Sequence, residues 1–219
     1  MTNSKTLNDK VIFFITSNIN KYHEAKNLLE KYEMKLSLLR IEIQEIQNDN
    51  IKEIAKTSVI ETSKKICLPI IVEDSGLFIN SLSGFPGPYS DYVQRTIGSK
   101  GILKLMEGKK EREAYFQSVI AFKKPNGKLK CFEGRVHGRI SEQEQGSFGF
   151  GFDPIFEPIG SPGRTLAQMT IEEKNNHSHR AKSLKRYGEW YKSILSRKNR
   201  SDKKELNHES CFLTKSKDF

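Results

Sequence analysis

The order of apolar runs and amphipathic segments constrains the fold of this 219-residue chain more than any other feature. An apolar run predicts a strand over Val11–Thr16, and apolar residues at helical spacing follow from about Asn20 to Lys31. Alternation over Lys35–Ile43 predicts a second strand, and the short uninterrupted run Ile70–Val72 is typical of a strand covered on both faces. Strands separated by helices in this way predict an α/β fold.

The second half of the chain predicts a meander of strands. Helical segments near Tyr89–Ile97 and Lys100–Met106 precede two strands, Ala114–Phe122 and Lys128–Ile140. A Pro-Asn-Gly turn separates these strands, which favours a hairpin. The last helix is predicted from about Ser178 to Leu195. Helix-separated strands followed by a meander predict a central mixed sheet flanked by helices.

Length and composition favour one domain, or one domain with a smaller lobe. No run approaches the roughly 20 apolar residues of a membrane span, and the polar start is unlike a signal peptide. The three cysteines show no paired spacing, so neither a disulfide framework nor a zinc site is expected. We therefore expect a cytoplasmic protein with an N-terminal extension at residues 1–10, a domain at residues 11–196 and a basic, disordered tail at residues 197–219.

The formal net charge of +10 raises the question of nucleic-acid binding. Residues 181–219 contain 11 Lys and Arg against 5 Asp and Glu, so +6 of this charge lies in the last helix and the tail. Lysine-rich segments with few apolar residues are usually solvated and disordered. No aromatic stacking pattern or nucleic-acid reader motif accompanies the charge, so nucleic-acid binding is not favoured.

The junction after the first strand has the composition of an anion site. Small polar residues and a lysine, Thr16–Lys21, link this strand to the helix that follows. The unpaired N–H groups at a helix N-terminus and the helix dipole both favour a bound anion. Because solubility alone also makes such junctions polar, the segment is a candidate phosphate site only in combination with other motifs.

Two acidic residues, Glu73 and Asp74, follow the apolar run that ends at Val72. At the carboxyl end of a buried strand, carboxylates need solvent, donors or a cation, and ligands of open α/β sheets bind at that end. Adjacent residues of an extended strand point to opposite faces, so the two carboxylates are not expected to share one task. The structural alternative is that both carboxylates cap the next turn.

Glu45 lies in a predicted loop and is a candidate to meet these carboxylates in space. A single loop glutamate is normally just solvated, so Glu45 is a candidate site residue only together with Glu73 and Asp74. A small set of hard oxygen ligands suits Mg²⁺, which leaves its remaining positions to water and phosphate.

A third candidate segment, Thr170–Arg180, combines acidic, basic and histidine side chains. His177 and His179 are two residues apart rather than four, which argues against a zinc site. Cations in the first turn of a helix oppose its dipole, so His179 and Arg180 indicate an anionic or carbonyl-bearing ligand. In the glycine- and aromatic-rich stretch Gly146–Phe152, the segment Phe150–Asp153 offers aromatic faces on which a planar base can stack; the alternative is that Phe148, Phe150 and Phe152 belong to the core.

Together these segments resemble the inosine triphosphate pyrophosphatase family, the Ham1-like pyrophosphatases of non-canonical purine NTPs. The resemblance extends from about Val11 to Leu195. It is carried by the motifs Thr16–Lys21, Glu45–Gln47, Val72–Leu77, Gly84–Ser90, Phe150–Asp153, Met169–Lys174 and Ser178–Arg180. Several motifs in this order and at compatible spacing are far more specific than any one of them.

The resemblance implies a two-lobed α/β fold, with the active site in the cleft between the lobes, and a homodimer. It also implies hydrolysis of ITP, XTP and their deoxy forms between the α- and β-phosphates. That reaction releases a monophosphate and pyrophosphate, and it cleanses the nucleotide pool.

The resemblance further implies roles for individual residues. Glu45 and Asp74 would hold Mg²⁺, and Asp74 would also be the base for the attacking water. Thr16–Lys21 would hold the triphosphate, and Ser75 would contact the substrate. The implied substrate-binding residues, including those of the base pocket, are Thr16, Ser17, Asn18, Ile19, Asn20, Lys21, Ser75, Phe150, Gly151, Phe152, Asp153, Lys174, His179 and Arg180.

One residue departs from the family pattern, because Ser17 stands where the family usually has glycine. If this position requires a positive φ, serine strains the loop by roughly 1 kcal/mol.

The purine 6-position gives the expected selectivity a physical basis. Inosine and xanthine carry a carbonyl there, which donors from Arg180 and its neighbours would satisfy, whereas the amino group of adenine would leave those donors unpaired. Guanine shares the carbonyl, so its rejection needs a further feature at the 2-position. Two alternatives stay open: a nucleotide pyrophosphatase with another base preference, and a nucleic-acid-binding protein on an inactive hydrolase fold.

Overall fold

The structure, a computed structural model, describes the backbone of residues 11–161 and 163–214, with side chains up to residue 197. The extension at residues 1–10 and the end of the tail at residues 215–219 lie outside the described residues. None of the described helices combines the length and hydrophobicity that crossing a bilayer requires.

Over the described residues the chain forms seven β-strands, six α-helices and three short 3₁₀ helices. The strands are β1 (Val11–Ile15), β2 (Lys35–Leu39), β3 (Ile70–Ile79), β4 (Pro86–Gly87), β5 (Glu113–Lys123), β6 (Lys130–Ile140) and β7 (Phe156–Pro158). The α-helices are α1 (Ile19–Glu30), α2 (Ile51–Lys65), α3 (Ser90–Thr96), α4 (Gly98–Leu105), α5 (Ile171–His177) and α6 (His179–Thr214).

All these strands belong to one mixed sheet, which confirms the predicted α/β class. The strand order is β2-β1-β3-β5-β6-β7, and β4 pairs with β3 beside this path. β1 is parallel to β2 and β3, whereas β3, β5, β6 and β7 are successively antiparallel. The helix-connected half of the chain therefore supplies the parallel part of the sheet, and the meander supplies the antiparallel part.

β3 is much longer than predicted. The sequence places a strand end at Val72, but the strand continues to Ile79 and pairs along its whole length with β5. Glu73 and Asp74 consequently lie in the middle of a strand, not at its carboxyl end. Polar residues are tolerated there because β5 bonds alternate backbone groups and side chains bond others: the carbonyl of Glu73 accepts from Lys21 Nζ at 3.4 Å, and ion pairs satisfy the buried Glu73 carboxylate.

The edge of β3 that faces away from β5 is open in the middle. β1 pairs with this edge only as far as Val72, and β4 pairs with the same edge from Leu77 onwards. Residues 73–76 therefore have no strand partner on that edge. The chain also leaves β1 here, at Thr16, so the opening and the predicted phosphate loop lie side by side.

Two lobes share the long strands β3, β5 and β6. In one lobe α1 and α6 pack on the sheet, with Phe14, Phe122 and Tyr187 buried in a common cluster. In the other lobe the far ends of the same strands bury Leu77 and Val136 together with residues of α3 and α4. The predicted two-lobed fold with helices flanking the sheet is thus confirmed.

Two element ends differ from the prediction. β2 ends at Leu39 rather than near Ile43. α6 continues to Thr214, well past the predicted end at Leu195 and into the segment expected to be disordered. No glycine or proline interrupts the chain between Glu189 and Thr214, so nothing in its composition stops a helix. The side chains beyond residue 197 lie outside the described residues.

Candidate active site

A cavity of 810 Å³ opens between the two lobes beside the unpaired edge of β3. Fourteen predicted site residues line it: Thr16, Ser17, Asn18, Asn20, Lys21, Glu45, Asp74, Ser75, Phe150, Gly151, Phe152, Asp153, His179 and Arg180. Segments that are far apart in sequence therefore converge on one space, at the cleft where the resemblance places the site.

Two predicted substrate-binding residues do not line this cavity. Ile19 is the first residue of α1, and its side chain is 41% exposed on the surface. Lys174 is only 4% exposed, and its Nζ lies 2.6 Å from Asp153 Oδ2. Lys174 therefore supports the wall of the cavity from behind.

The loop before α1 is internally hydrogen-bonded. Asn18 caps the helix, because its Oδ1 accepts from the backbone N–H groups of Asn20 and Lys21 at 3.0 and 3.1 Å. The N–H of Asn18 in turn donates to Thr16 Oγ1 at 3.1 Å. The expectation of free N–H groups at this helix start is thus wrong in part, since the cap occupies two of them.

The strain considered for Ser17 does not occur. The described non-glycine residues with positive φ are Glu33, Ser83 and Asn126, and Ser17 is not among them. Because its backbone lies outside the left-handed region, serine fits where the family usually has glycine. Its side chain is exposed at the mouth of the cavity.

Glu73 is the centre of a buried ion-pair network. Its Oε1 accepts from Arg180 Nε at 3.1 Å and from Ser118 Oγ at 2.8 Å. Lys21 Nζ lies 2.8 Å from the other carboxylate oxygen, Oε2. Burial alone would raise the pKa of Glu73, but the charges of Arg180 and Lys21 outweigh it and hold the pKa well below its ordinary value.

Asp74 has the opposite environment. Its Oδ1 accepts from the N–H of Ser75 at 2.9 Å, but its buried Oδ2 has no hydrogen-bond partner. Burial raises the pKa of Asp74 to about 7; Lys21 opposes this shift, and the negative charges of Glu73 and Glu45 add to it. The two adjacent carboxylates therefore perform different tasks, as their alternation along a strand predicts.

Glu45 and Asp74 form the candidate metal site. Glu45 lies in the coil between β2 and α2, lines the same cavity and acts electrostatically on Asp74. An orphaned carboxylate oxygen beside a second carboxylate suits a hard divalent cation. Over the described part of the chain there is no cluster of three or more His, Cys, Asp or Glu residues that could hold a metal ion.

Arg180 is held in the cavity wall by three acceptors. Its Nε, NH1 and NH2 groups donate to Glu73, Glu24 and Ser75 at 3.1, 2.7 and 3.1 Å. A guanidinium has five N–H groups, so two remain for a ligand. The expected donation to a purine carbonyl is therefore restricted to these two.

His179 does not act as a cation. Its ring stacks on Phe116 with the centroids 4.5 Å apart and the planes 9° from parallel. Burial lowers the pKa of His179 far below its ordinary value, and the neighbouring Arg180 lowers it further. Of these two residues only Arg180 thus brings a charge to the start of α6, and His179 contributes a neutral ring.

The three phenylalanines of the glycine-rich loop have three different environments. Phe148 is 61% exposed, whereas Phe152 is buried in the second core cluster. Phe150 lies between them on the cavity wall, with Lys174 Nζ and the Arg180 guanidinium 4.9 and 5.2 Å from its ring centroid. The core interpretation is therefore right for Phe152, and Phe150 is the aromatic face available to a ligand.

Glu24 was missed by the sequence analysis. It is buried on α1, and its two carboxylate oxygens lie 2.6 Å from Lys174 Nζ and 2.7 Å from Arg180 NH1. Burial alone would raise the pKa of Glu24, but Arg180 and Lys174 lower it below its ordinary value. The available signal was a glutamate beside Ala25, on the apolar face of the helix, one turn after Lys21.

The fold and the cavity define a class of α/β proteins that bind an anionic ligand carrying a planar group. In this cavity the cations Lys21 and Arg180, the carboxylate of Asp74 and the ring of Phe150 are all available to such a ligand. The sequence profile of the Ham1 family matches residues 12–190. The chain belongs to the Ham1 family.

Proteins similar to this chain include two archaeal dITP/XTP pyrophosphatases and a Ham1 protein of known structure. The chain is 51% identical to the dITP/XTP pyrophosphatase of Pyrococcus horikoshii and 47% identical to that of Methanopyrus kandleri; in both cases 84% of this chain and 98% of the relative are covered. It also superposes on the solved Ham1 protein of Staphylococcus aureus with a TM-score of 0.72 at 25% identity, which covers 84% of this chain and all of that protein.

Proposed function

We propose that this chain is a nucleoside triphosphate pyrophosphatase that hydrolyses ITP, dITP and XTP to the monophosphate and pyrophosphate. The observation that carries the proposal is the buried, unpartnered Oδ2 of Asp74 in the cavity that Lys21 also lines. The names of the similar archaeal enzymes support the substrate class. By removing such nucleotides the enzyme cleanses the nucleotide pool, and we place it in the cytoplasm, where that pool lies.

The proposed binding mode follows the charge distribution of the cavity. The triphosphate lies along Thr16–Lys21, where the ammonium group of Lys21 offsets its negative charge. The base stacks on Phe150, which also lines the cavity. The remaining N–H groups of Arg180 donate to the 6-carbonyl, a contact that the amino group of adenine cannot accept.

Mg²⁺ is the cofactor that fits the carboxylates. Glu45 and Asp74 would hold it, with water and phosphate oxygens as its other ligands. When bound, the ion neutralises phosphate charge and lowers the pKa of a nearby water. Glu73 stays outside this set, because Arg180, Ser118 and Lys21 already occupy its oxygens.

Asp74 is proposed as the general base. Its Oδ2 takes a proton from the attacking water while the water oxygen bonds to the α-phosphorus. The bond between this phosphorus and the oxygen bridging to the β-phosphate breaks, and pyrophosphate leaves with the electron pair. Without a bound cation the pKa of Asp74 is about 7, and Mg²⁺ at the same carboxylate would lower it and keep Asp74 ionised, as a base must be.

A triphosphate panel tests the proposal. With Mg²⁺, pyrophosphate release from ITP, dITP and XTP should be fastest, and EDTA should abolish it. Asp74→Asn should lower kcat at least about 100-fold, because it removes the base. Asp49→Asn, an exposed aspartate outside the cavity, is the matched control and should keep full activity.

The same panel separates the alternatives. Fastest turnover of a pyrimidine nucleotide would favour a pyrophosphatase with another base preference. Absence of turnover in both the wild type and Asp74→Asn, together with tight RNA or DNA binding, would favour a nucleic-acid-binding protein on an inactive hydrolase fold.

We also propose a homodimer, on the basis of family membership. Light scattering should then give a mass of about twice the 25.2 kDa of one chain. A mass equal to one chain at micromolar concentration would contradict this.

A further inference from the structure

Three parallel strands are in register beside the cavity. Leu39 of β2, Ile15 of β1 and Val72 of β3 lie side by side across the sheet. The chain therefore leaves β2 at Arg40 next to the point where it leaves β1 at Thr16. Both of these residues line the cavity, and the carboxyl ends of parallel strands are where ligands of open α/β sheets bind.

The buried cations around the cavity are neutralised by the protein itself. Five ion pairs of 2.6 to 3.1 Å join three cations to three carboxylates, namely Lys21, Arg180 and Lys174 to Glu24, Glu73 and Asp153. The formal charge of this network is zero. It therefore adds no net positive charge for a polyphosphate.

Arg40 differs from these buried cations because no carboxylate pairs with it. The residue is exposed where it lines the cavity, and within the residues whose side chains the structure describes its guanidinium makes no hydrogen bond or ion pair. All five of its N–H groups are thus free for a ligand. A guanidinium binds a phosphate group with two parallel hydrogen bonds, which makes this arginine suited to an anionic ligand.

We propose that Arg40 binds the outer phosphates of the substrate, the β- and γ-phosphates that leave together as pyrophosphate. The inference rests on the proposed function, in which Asp74 activates the water that attacks the α-phosphorus. Because the strand order is β2-β1-β3, a triphosphate with its α-phosphate at Asp74 on β3 extends past the end of β1 towards β2. Arg40 then lies beside the phosphates farthest from the base, and it adds affinity for the triphosphate but not for the monophosphate product.

The two reaction products separate this role from base binding without any turnover. Pyrophosphate consists of the outer phosphates alone, whereas IMP carries the base and the α-phosphate. Calorimetric affinities for both, with Mg²⁺ present, should be measured on the full chain as wild type, Arg40→Ala and Arg40→Lys. Lys35→Ala is the matched control, because Lys35 is an exposed cation at the other end of β2 and does not line the cavity.

Arg40→Ala should weaken pyrophosphate binding about tenfold or more, as expected for the loss of a charge-assisted contact, and IMP binding less than about twofold. Arg40→Lys keeps the charge but not the planar pair of N–H donors, so it should lose about threefold for pyrophosphate. Lys35→Ala should match the wild type for both ligands. Because Arg40 is exposed, its variants should keep the thermal midpoint of the wild type.

Unchanged pyrophosphate affinity in Arg40→Ala would overturn the inference, and so would a wild type that does not bind pyrophosphate. Equal losses for IMP and pyrophosphate would overturn it as well, because they would show a general effect on the cavity. Wild-type turnover of ITP is a separate measurement. A chain that binds pyrophosphate through Arg40 but does not release pyrophosphate from ITP would contradict the proposed function alone.

Discussion

At the scale of single residues, Glu73 and Asp74 show how position decides the chemistry of identical functional groups. The two carboxylates are adjacent in the chain, but the strand directs Glu73 towards Arg180 and Asp74 into the cavity. The result is one carboxylate with a pKa well below the ordinary value and one with a pKa of about 7. The first is suited to hold cations, and the second to exchange a proton near neutral pH.

The raised pKa of Asp74 predicts a pH-dependent stability. Between the pKa of an unfolded aspartate, about 3.9, and the native value of about 7, the native state binds more protons than the unfolded state. The free energy of unfolding attributable to Asp74 therefore falls as pH rises through this window, by up to about 4 kcal/mol. Asparagine does not titrate, so Asp74→Asn should gain stability relative to the wild type as pH increases.

Urea unfolding at pH 5 and pH 8 in EDTA would measure this. The difference in stability between the two proteins isolates Asp74. The contribution of His179, which is protonated on unfolding, is present in both proteins. Adding Mg²⁺ at pH 8 should stabilise the wild type more than Asp74→Asn if the carboxylate is a metal ligand. The same stability difference between the two proteins at both pH values would contradict the assigned pKa.

The sequence identified most residues that line the cavity, but it did not identify the contacts between distant residues. The sequence placed Asp74, Lys21 and Arg180 among the site residues, and all three line the cavity. It did not find Glu24, whose partner Arg180 is 156 residues away in the chain. Local patterns cannot reveal a contact at that separation, because the contact exists only after α1 and α6 have packed on the same face of the sheet.

At the scale of elements, the contact between β6 and α6 aligns the site. Gly134 lies where the first turn of α6 crosses β6, and a Cβ at this position would lie 2.1 Å from the carbonyl oxygen of His179 and 2.5 Å from the nitrogen of Ser183. Only glycine allows the helix to approach so closely. That approach brings Arg180 to the middle of β3, where it meets Glu73.

Gly134→Ala should therefore displace the start of α6. We expect a loss of roughly 2 kcal/mol of unfolding free energy from the overlap with backbone atoms. The activity should fall as well, because Arg180 moves with the helix. Chemical denaturation and ITP turnover would measure the two effects.

Gly127→Ala is the matched control for this substitution. Gly127 lies in the β5–β6 turn, and the nearest atom to its added Cβ is 3.1 Å away, at the Cβ of Lys124. It should lose clearly less stability than Gly134→Ala and keep its activity. Equal stability of the two variants would refute the packing argument.

The sequence also misjudged the length of β3. The charged residues that follow Val72 led to the prediction that the strand ends there, because strands are predicted from uninterrupted apolar runs. The antiparallel pairing with β5 carries the strand across this interruption to Ile79. Only the neighbouring strand could decide this, since its pairing continues through residues 73–76.

At the scale of the whole molecule, the sheet-packing part of α6 ends well before the chain does. Its buried hydrophobic residues Ala181, Leu184, Tyr187 and Tyr191 all belong to the first core cluster. Deletion of residues 201–219 should thus leave the thermal midpoint, the ITP turnover and the oligomeric mass essentially unchanged. Differential scanning fluorimetry, a pyrophosphate-release assay and light scattering would measure these properties.

A shorter truncation supplies the control. A chain ending at residue 186 lacks Tyr187 and Tyr191, and losing one large buried aromatic side chain costs about 3–5 kcal/mol. We expect this chain not to fold. A tenfold loss of turnover in the longer truncation would instead show that the basic end of the chain contributes to the activity.

The sequence by itself determined the α/β class, the order of most elements and most of the predicted site residues that line the cavity. Periodicity and local motifs can be recognised from the sequence alone. Tertiary structure decided the open edge of β3, the ion pairs of Glu24 and the contrast between Glu73 and Asp74. Those properties depend on burial and on charges brought together from distant segments. Coulombic interaction and desolvation act through space, so they acquire values only once the chain has packed.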